Sequence, residues 1–159
     1  MADASPLIAL ARIDLLPILV KTLGSIIIPK SVADECLQDP LRPGAIGIQN
    51  AIQKKLIRVH SDPITKQFAQ LQMLLGSGES AAIALALTLH TGLLVDEKLA
   101  RTAATKLNIK IIGTAGVLLL AKKKKLIPKI LPLIKQLKKS GYYLSDSLIK
   151  EVAKIAHEK

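Results

Sequence analysis

Four short runs of branched aliphatic residues recur along the chain, each separated from the next by a longer stretch of helical character. The runs are Ser25-Ile26-Ile27-Ile28, Ile57-Arg58-Val59, Leu93-Leu94-Val95 and Lys110-Ile111-Ile112, and their length and composition predict strands. Leu7 to Leu23 reads as one broken helix or two short ones, interrupted near Asp14 and Pro17. Lys30 to Leu37, Ile46 to Leu56 and Lys66 to Leu75 follow as helices. Glu79 to His90 and Glu97 to Leu107 are rich in good helix formers. From Ala115 to His157 only helical patterns remain. Strand–helix alternation of this kind predicts an α/β fold with a parallel sheet and a helical C-terminal part. Pro29, Pro40, Pro43-Gly44, Gly76, Gly78, Gly113 and Pro128 punctuate the elements. With no internal repeat, low-complexity tract or long linker, residues 1–159 read as a single domain.

Composition narrows the function classes. Half of the 159 residues are apolar, which excludes a disordered chain. They are mainly Leu, Ile, Ala and Val, with no Trp and a single Phe68. Such a core suits helices packed on a parallel sheet, and the chain lacks the aromatic platforms of a base-stacking single-strand binder. Cys36 stands alone, so it reads as a small buried hydrophobe in a reducing compartment. The most apolar window, Leu7 to Val20, is broken by Arg12, Asp14 and Pro17, and no signal peptide is visible. The expectation is a soluble, cytoplasmic protein without a membrane span. The formal charge of +11 biases the surface toward polyanions. Lys122 to Lys125, followed by Lys129, Lys135, Lys138 and Lys139, reads equally as a solvated helix face and as a phosphate-binding surface.

Four acids stand at positions where chemistry gathers: Asp3, Glu35, Glu79 and Asp96. In parallel α/β sheets, functional residues collect outside the carboxyl ends of the strands. Asp96 directly follows Leu93-Leu94-Val95, and Asp3 follows whatever first strand exists. Singly, each has a structural reading. Asp3 fits an N-cap, Glu35 and Glu79 fit early-helix anions, and Asp96 fits the cap of the helix beginning at Glu97. Together they suggest two carboxylate pairs around one cleft. At an effective dielectric of about 20 and roughly 6 Å, each pair would repel by about 3 kcal/mol. Divalent cations offset such repulsion, and hard oxygen donors suit Mg²⁺ or Mn²⁺. Two such ions can activate a water and stabilise a leaving oxygen in phosphodiester cleavage.

Other chemistries find no support. His60, His90 and His157 lack metal-ligand spacing. Gly76-Ser77-Gly78-Glu79 lacks the ending of a phosphate loop, and Ser5, Ser31 and Ser80 have no His/Asp partners for acyl transfer. A receiver-like phosphoacceptor would want a paired acidic cluster after the first strand, where Ala4 and Ser5 stand instead.

The acidic positions sit in segments that resemble a known family. Asp3-Ala4-Ser5-Pro6-Leu7-Ile8-Ala9-Leu10 looks like the opening of PIN domains, specifically a prokaryotic subgroup related to VapC-type toxins. Ile28-Pro29-Lys30-Ser31-Val32-Ala33-Asp34-Glu35 and Gly78-Glu79-Ser80-Ala81-Ala82-Ile83-Ala84-Leu85-Ala86 continue it. Val95-Asp96-Glu97-Lys98-Leu99-Ala100-Arg101 and Gly113-Thr114-Ala115-Gly116-Val117-Leu118-Leu119 carry it most strongly. The matches lie in order across nearly the whole chain. The resemblance implies a three-layer α/β/α PIN-like fold with a central parallel sheet, and a Mg²⁺- or Mn²⁺-dependent endoribonuclease. By that likeness Asp3, Glu35, Glu79 and Asp96 are the metal-binding and catalytic acids. Ser5 would position a ligand water, and Glu97 would assist Asp96 or start its helix. Arg101 would reach a scissile phosphate or pair with Glu97, while Arg101, Lys122 and Lys123 would hold the RNA backbone. A toxin role implies a small antitoxin protein as partner, and homodimers, frequent in such families, would use the C-terminal helices.

Two departures qualify the resemblance. Only Met1 and Ala2 precede Asp3, whereas a strand ordinarily runs about five or six residues. The first strand therefore reads as truncated, and a rival expectation is a catalytically silent PIN-like binding protein. A third, RNA binding without cleavage, rests on net charge alone. The second departure is Lys125, where the family often has Gly after its basic stretch.

Overall fold

The computed structural model describes every residue from Met1 to Lys159. The chain opens with helices α1 (Ala4–Ala11) and α2 (Leu16–Leu23), then strand β1 (Ile26–Pro29). Helices α3 (Lys30–Leu37) and α4 (Ala45–Gln53) lead to β2 (Ile57–His60). Helices α5 (Lys66–Leu71) and α6 (Ser77–Thr88) precede β3 (Leu93–Leu94), and α7 (Lys98–Lys106) precedes β4 (Ile111–Ile112). Helices α8 (Thr114–Lys123), α9 (Leu131–Lys139) and α10 (Asp146–Ile155) finish the chain. All four expected strands form, and the helical C-terminal third is as anticipated. Asp14, with φ +56°, makes the break between α1 and α2. The helix expected to run to Leu75 stops at Leu71, and Gln72 to Leu74 form turns.

The strands pair as two parallel ladders, β1 with β2 and β3 with β4. Met1 to Asp3 lie between them. The Ala2 amide donates to the Ile27 carbonyl at 3.0 Å. On the other side, the Leu94 amide donates to Met1 and the Asp3 amide donates to Leu94, at 2.9 and 3.0 Å. The terminal ammonium donates to the Gly92 carbonyl at 2.9 Å. Ala2 pairs with Leu94 in the parallel sense. Three residues thus give β1 and β3 backbone partners that they would otherwise lack.

Leu7, Leu10, Ile28, Ile83, Leu85, Leu93, Leu94 and Leu118 are fully buried around these ladders. Helix α6 is enclosed along its middle. Ala81 to Ala86 are all buried, and the helix packs on α3, α5, α7, β1 and β3. A helix apolar on every side belongs inside a protein, and its alanines let neighbouring elements approach closely. No helix is long and apolar enough to cross a membrane.

Most helix ends share one device. After α1, α4, α6, α7, α8 and α10, the residues Asp14, Lys55, His90, Asn108, Lys125 and His157 take left-handed backbone angles. The next amide then bonds five residues back: Leu15 to Leu10, Leu56 to Ala51, Thr91 to Ala86, Ile109 to Ala104, Leu126 to Ala121 and Glu158 to Ala153. This pattern satisfies carbonyls at the helix end. At the end of α9 the residue is glycine, Gly141 with φ +87°, followed by a Tyr142 amide bond to Leu137 at 3.0 Å.

Glu158 fastens the C-terminal helices. Its carboxylate accepts from Lys122 Nζ at 2.7 Å and from the Ile130 and Leu131 amides at 2.7 and 3.0 Å. Lys122 Nζ also donates to the Ala156 carbonyl at 2.7 Å. Desolvation opposes Glu158 ionisation, but Lys122 and the two amides outweigh it and hold the carboxyl at about 2.

The left-handed angle at Lys125, φ +59°, explains why glycine suits this position. A left-handed L-residue costs about 1–2 kcal/mol, offset by the extra unfolded-chain entropy of glycine, about 0.4–1 kcal/mol. Lys125→Gly should therefore raise the melting temperature by about 2 °C. A calorimetric melt at or below the wild-type value would show that Lys125 makes compensating contacts.

Candidate acidic site

Asp3 is the centre of the acidic group. It follows the bridging residues, precedes α1, and is only 3 % exposed. Its side chain makes no capping hydrogen bond to α1. Burial raises its carboxyl to about 7; the Ala4 amide partly offsets this, and Glu79, Glu35 and Asp96 raise it further through their charges. The four expected acids therefore share one electrostatic environment.

Each partner acid arrives on its own element. Glu35 stands exposed on α3, where Gly78 leaves room for it. A Cβ at Gly78 would lie 3.0 Å from Glu35 Oε2. Glu79 sits in the first turn of α6 and accepts from the Gly76 amide at 3.2 Å. Burial raises its carboxyl, the Gly76 amide lowers it, and the charges of Glu97 and Glu35 raise it again. Glu97 thus neighbours Glu79, and it also N-caps α7 by accepting from the Ala100 amide at 2.8 Å.

Asp96 does not cap α7. It reaches across to the start of α8, where Oδ1 accepts from the Thr114 amide at 2.9 Å and Oδ2 from the Thr114 hydroxyl at 2.6 Å. Tyr142 also donates its phenol to Oδ2. Gly113 makes this approach feasible, since a Cβ there would lie 2.7 Å from Asp96 Oδ1. Thr114 and Tyr142 were not among the expected site residues. Thr114 lies in the Gly113 to Leu119 segment that resembles the family, but nothing local marks Tyr142.

The remaining expected residues are dispersed. Ser5 is exposed on the first turn of α1. Arg101 donates to the Val95 carbonyl at 2.9 Å rather than pairing with Glu97. Lys122 is engaged by Glu158 and Ala156, while Lys123 is exposed. Cys36 is buried and free, its thiol raised to about 12 by burial and by Glu35 and Asp3.

Beside Asp96 runs an open groove of about 540 Å³ lined by Lys98, Arg101, Thr102, Thr105 and Lys106. These residues recur at helical spacing along one face of α7, a signal in the sequence that the lysine run near Lys122 overshadowed.

No group of three His, Cys, Asp or Glu side chains is gathered as closely as around a bound metal ion. The donor chemistry still fits a hard divalent cation. Asp3 and Glu79 are discouraged from ionising by burial and by neighbouring carboxylates, and a cation would relieve that penalty.

The chain combines parallel strands with acids placed beside strand ends, Asp3 and Asp96, and on helices, Glu35 and Glu79. The PIN domain family model matches residues 1–158, and the chain belongs to that family. PIN domains are generally nucleases that bind nucleic acid and typically use divalent metals. Comparisons with curated proteins and with solved structures find no match.

The raised Asp3 carboxyl has a signed consequence. Its folded value of about 7 exceeds the ordinary 3.8, so the folded state keeps a proton that the unfolded state releases. The resulting loss of stability is absent below about pH 4, grows with pH, and is complete above about pH 7. Asp3→Asn should leave stability nearly unchanged at pH 4 and raise it by about 2–4 kcal/mol at pH 8 without divalent ions. Denaturant unfolding at both pH values tests this; equal effects would mean that Asp3 ionises normally.

Proposed function

We propose that this protein is a divalent-metal-dependent endoribonuclease, acting as the toxin of a toxin–antitoxin pair. The observation that carries the reading is the carboxyl of Asp3 in a PIN domain, raised first by burial and then by the charges of Glu79, Glu35 and Asp96, so that acids from four separate segments act on one another. Asp3, Glu35, Glu79 and Asp96 would hold Mg²⁺ or Mn²⁺, with Glu97 close to Glu79. When bound, such ions polarise the scissile phosphate and the attacking water. The chain's own residues supply the rest. Thr114 orients Asp96 through its amide and hydroxyl. Ser5 would help position a water.

The groove along α7 supplies the substrate surface. Lys98, Arg101 and Lys106 line it beside Asp96, and cations so placed neutralise backbone phosphates. Lys123 adds exposed charge further along the chain, whereas Lys122 would have to leave Glu158 to reach RNA. The toxin reading is supported by the likeness of the segments around the four acids to VapC-type toxins. It implies a small antitoxin that covers the acidic cleft, a homodimer through the C-terminal helices, and a cytoplasmic location. The silent-protein alternative rested on the short first strand. Met1 to Asp3 nevertheless bond to both neighbouring strands, which weighs against it.

Wild type and Asp96→Asn, each with Mn²⁺ or chelator, should be compared on mixed RNA and on DNA of the same sequences. RNA cleavage that needs Mn²⁺ and falls at least about 100-fold in the variant is expected for loss of one acid. Equal background from both folded proteins would sink the enzyme reading. Separately, Lys98→Glu with Lys106→Glu should weaken RNA binding and reduce the salt slope by about 2. An unchanged slope would move the RNA path away from α7.

A further inference from the structure

We propose that Tyr142 is a positioning residue for Asp96, an assignment that rests on the metal-nuclease reading. Tyr142 comes from the turn after α9, 46 residues along the chain from Asp96. Two contacts place it there. Gly141 takes a left-handed angle that closes the end of α9 and bonds the Tyr142 amide to Leu137. Arg12 Nη1 donates to the Ser140 carbonyl at 2.9 Å, tying the same turn to the end of α1. The phenol then donates to Asp96 Oδ2 and lies 3.3 Å from Thr114 Oγ1.

Counting lone pairs defines the effect. An ionised carboxylate offers about four acceptor sites, two on each oxygen. Oδ2 receives the Thr114 hydroxyl and the Tyr142 phenol, whereas Oδ1 receives only the Thr114 amide. Tyr142 therefore saturates Oδ2 and fixes the rotation of the carboxylate, leaving Oδ1 with the remaining lone pair for a cation. A phenol carries its proton at neutral pH and so acts as a donor to the carboxylate. Hydrogen bonds to a ligating carboxylate of this kind commonly contribute about 10–100-fold to metal affinity.

The chain has no Trp and only two Tyr, Tyr142 and the exposed Tyr143. Tyr143→Phe thus leaves Tyr142 as the sole tyrosine emitter. Calorimetric titration with Mg²⁺ should show about 10-fold or greater weakening in Tyr142→Phe, with Tyr143→Phe binding as wild type. In Tyr143→Phe, Tyr142 emission should change saturably over the same Mg²⁺ range. Equal or tighter Mg²⁺ binding by Tyr142→Phe would overturn the proposal while leaving the nuclease reading intact. Unchanged Tyr142 emission on Mg²⁺ binding would do the same, and it needs no change at Tyr142 itself. A wild type that binds no Mg²⁺ would remove the metal-nuclease reading and this proposal with it.

Discussion

The backbone hydrogen bonds that seat Met1, Ala2 and Asp3 between β1 and β3 are the constraint on which the acidic site depends. Each ladder has only two strands, and a lone strand pair is barely stable in water. The bridging residues connect the two ladders and deliver Asp3 to the carboxyl ends of their strands. The same seating buries Asp3, and that burial is the largest cause of its raised carboxyl. Connection and charge strain therefore have one origin.

The other acids are restrained by short polar contacts with backbone amides or by missing side chains. Asp96 bonds at the start of α8 and Glu79 bonds the amide just before α6. Helix starts present free amides and favour negative charge. Glu35 approaches where Gly78 has no Cβ, and Asp96 where Gly113 has none. The site is thus assembled from helix ends around an alanine-rich helix, α6, thin enough to let them converge.

Much of this was legible in the sequence because it is local. Ile26 to Ile28 and Ile57 to Val59 announced β1 and β2 through branching, and Asp14 and Pro17 announced the helix break. Asp3 and Asp96 stand beside strand ends and Glu79 in the first turn of α6, as their sequence positions suggest, whereas Glu35 falls in the last turn of α3 rather than early in it. What was hidden depends on distant pairing. Taken singly, Asp96 fits the cap of the adjacent helix, but Glu97 takes that role and Asp96 reaches Thr114, 18 residues away. Tyr142 lies further still along the chain, and no periodicity could join it to Asp96. Three residues were too few to read as a strand, yet flanking strands gave them sheet partners. Lys125 broke a pattern whose reason, a left-handed helix end, is visible only in the backbone angles.

The seating of the first residues also closes a long loop of chain. Met1 bonds Gly92, a partner 91 positions away, so a nascent chain emerges with Asp3 long before its strand neighbours exist. Such non-local pairing incurs the entropy of closing a long loop before it is rewarded. Any local opening that frees Met1 to Asp3 from β3 leaves Glu35 and Glu79 on their helices but takes Asp3 out of its buried setting, so the shared charge environment belongs to the closed fold.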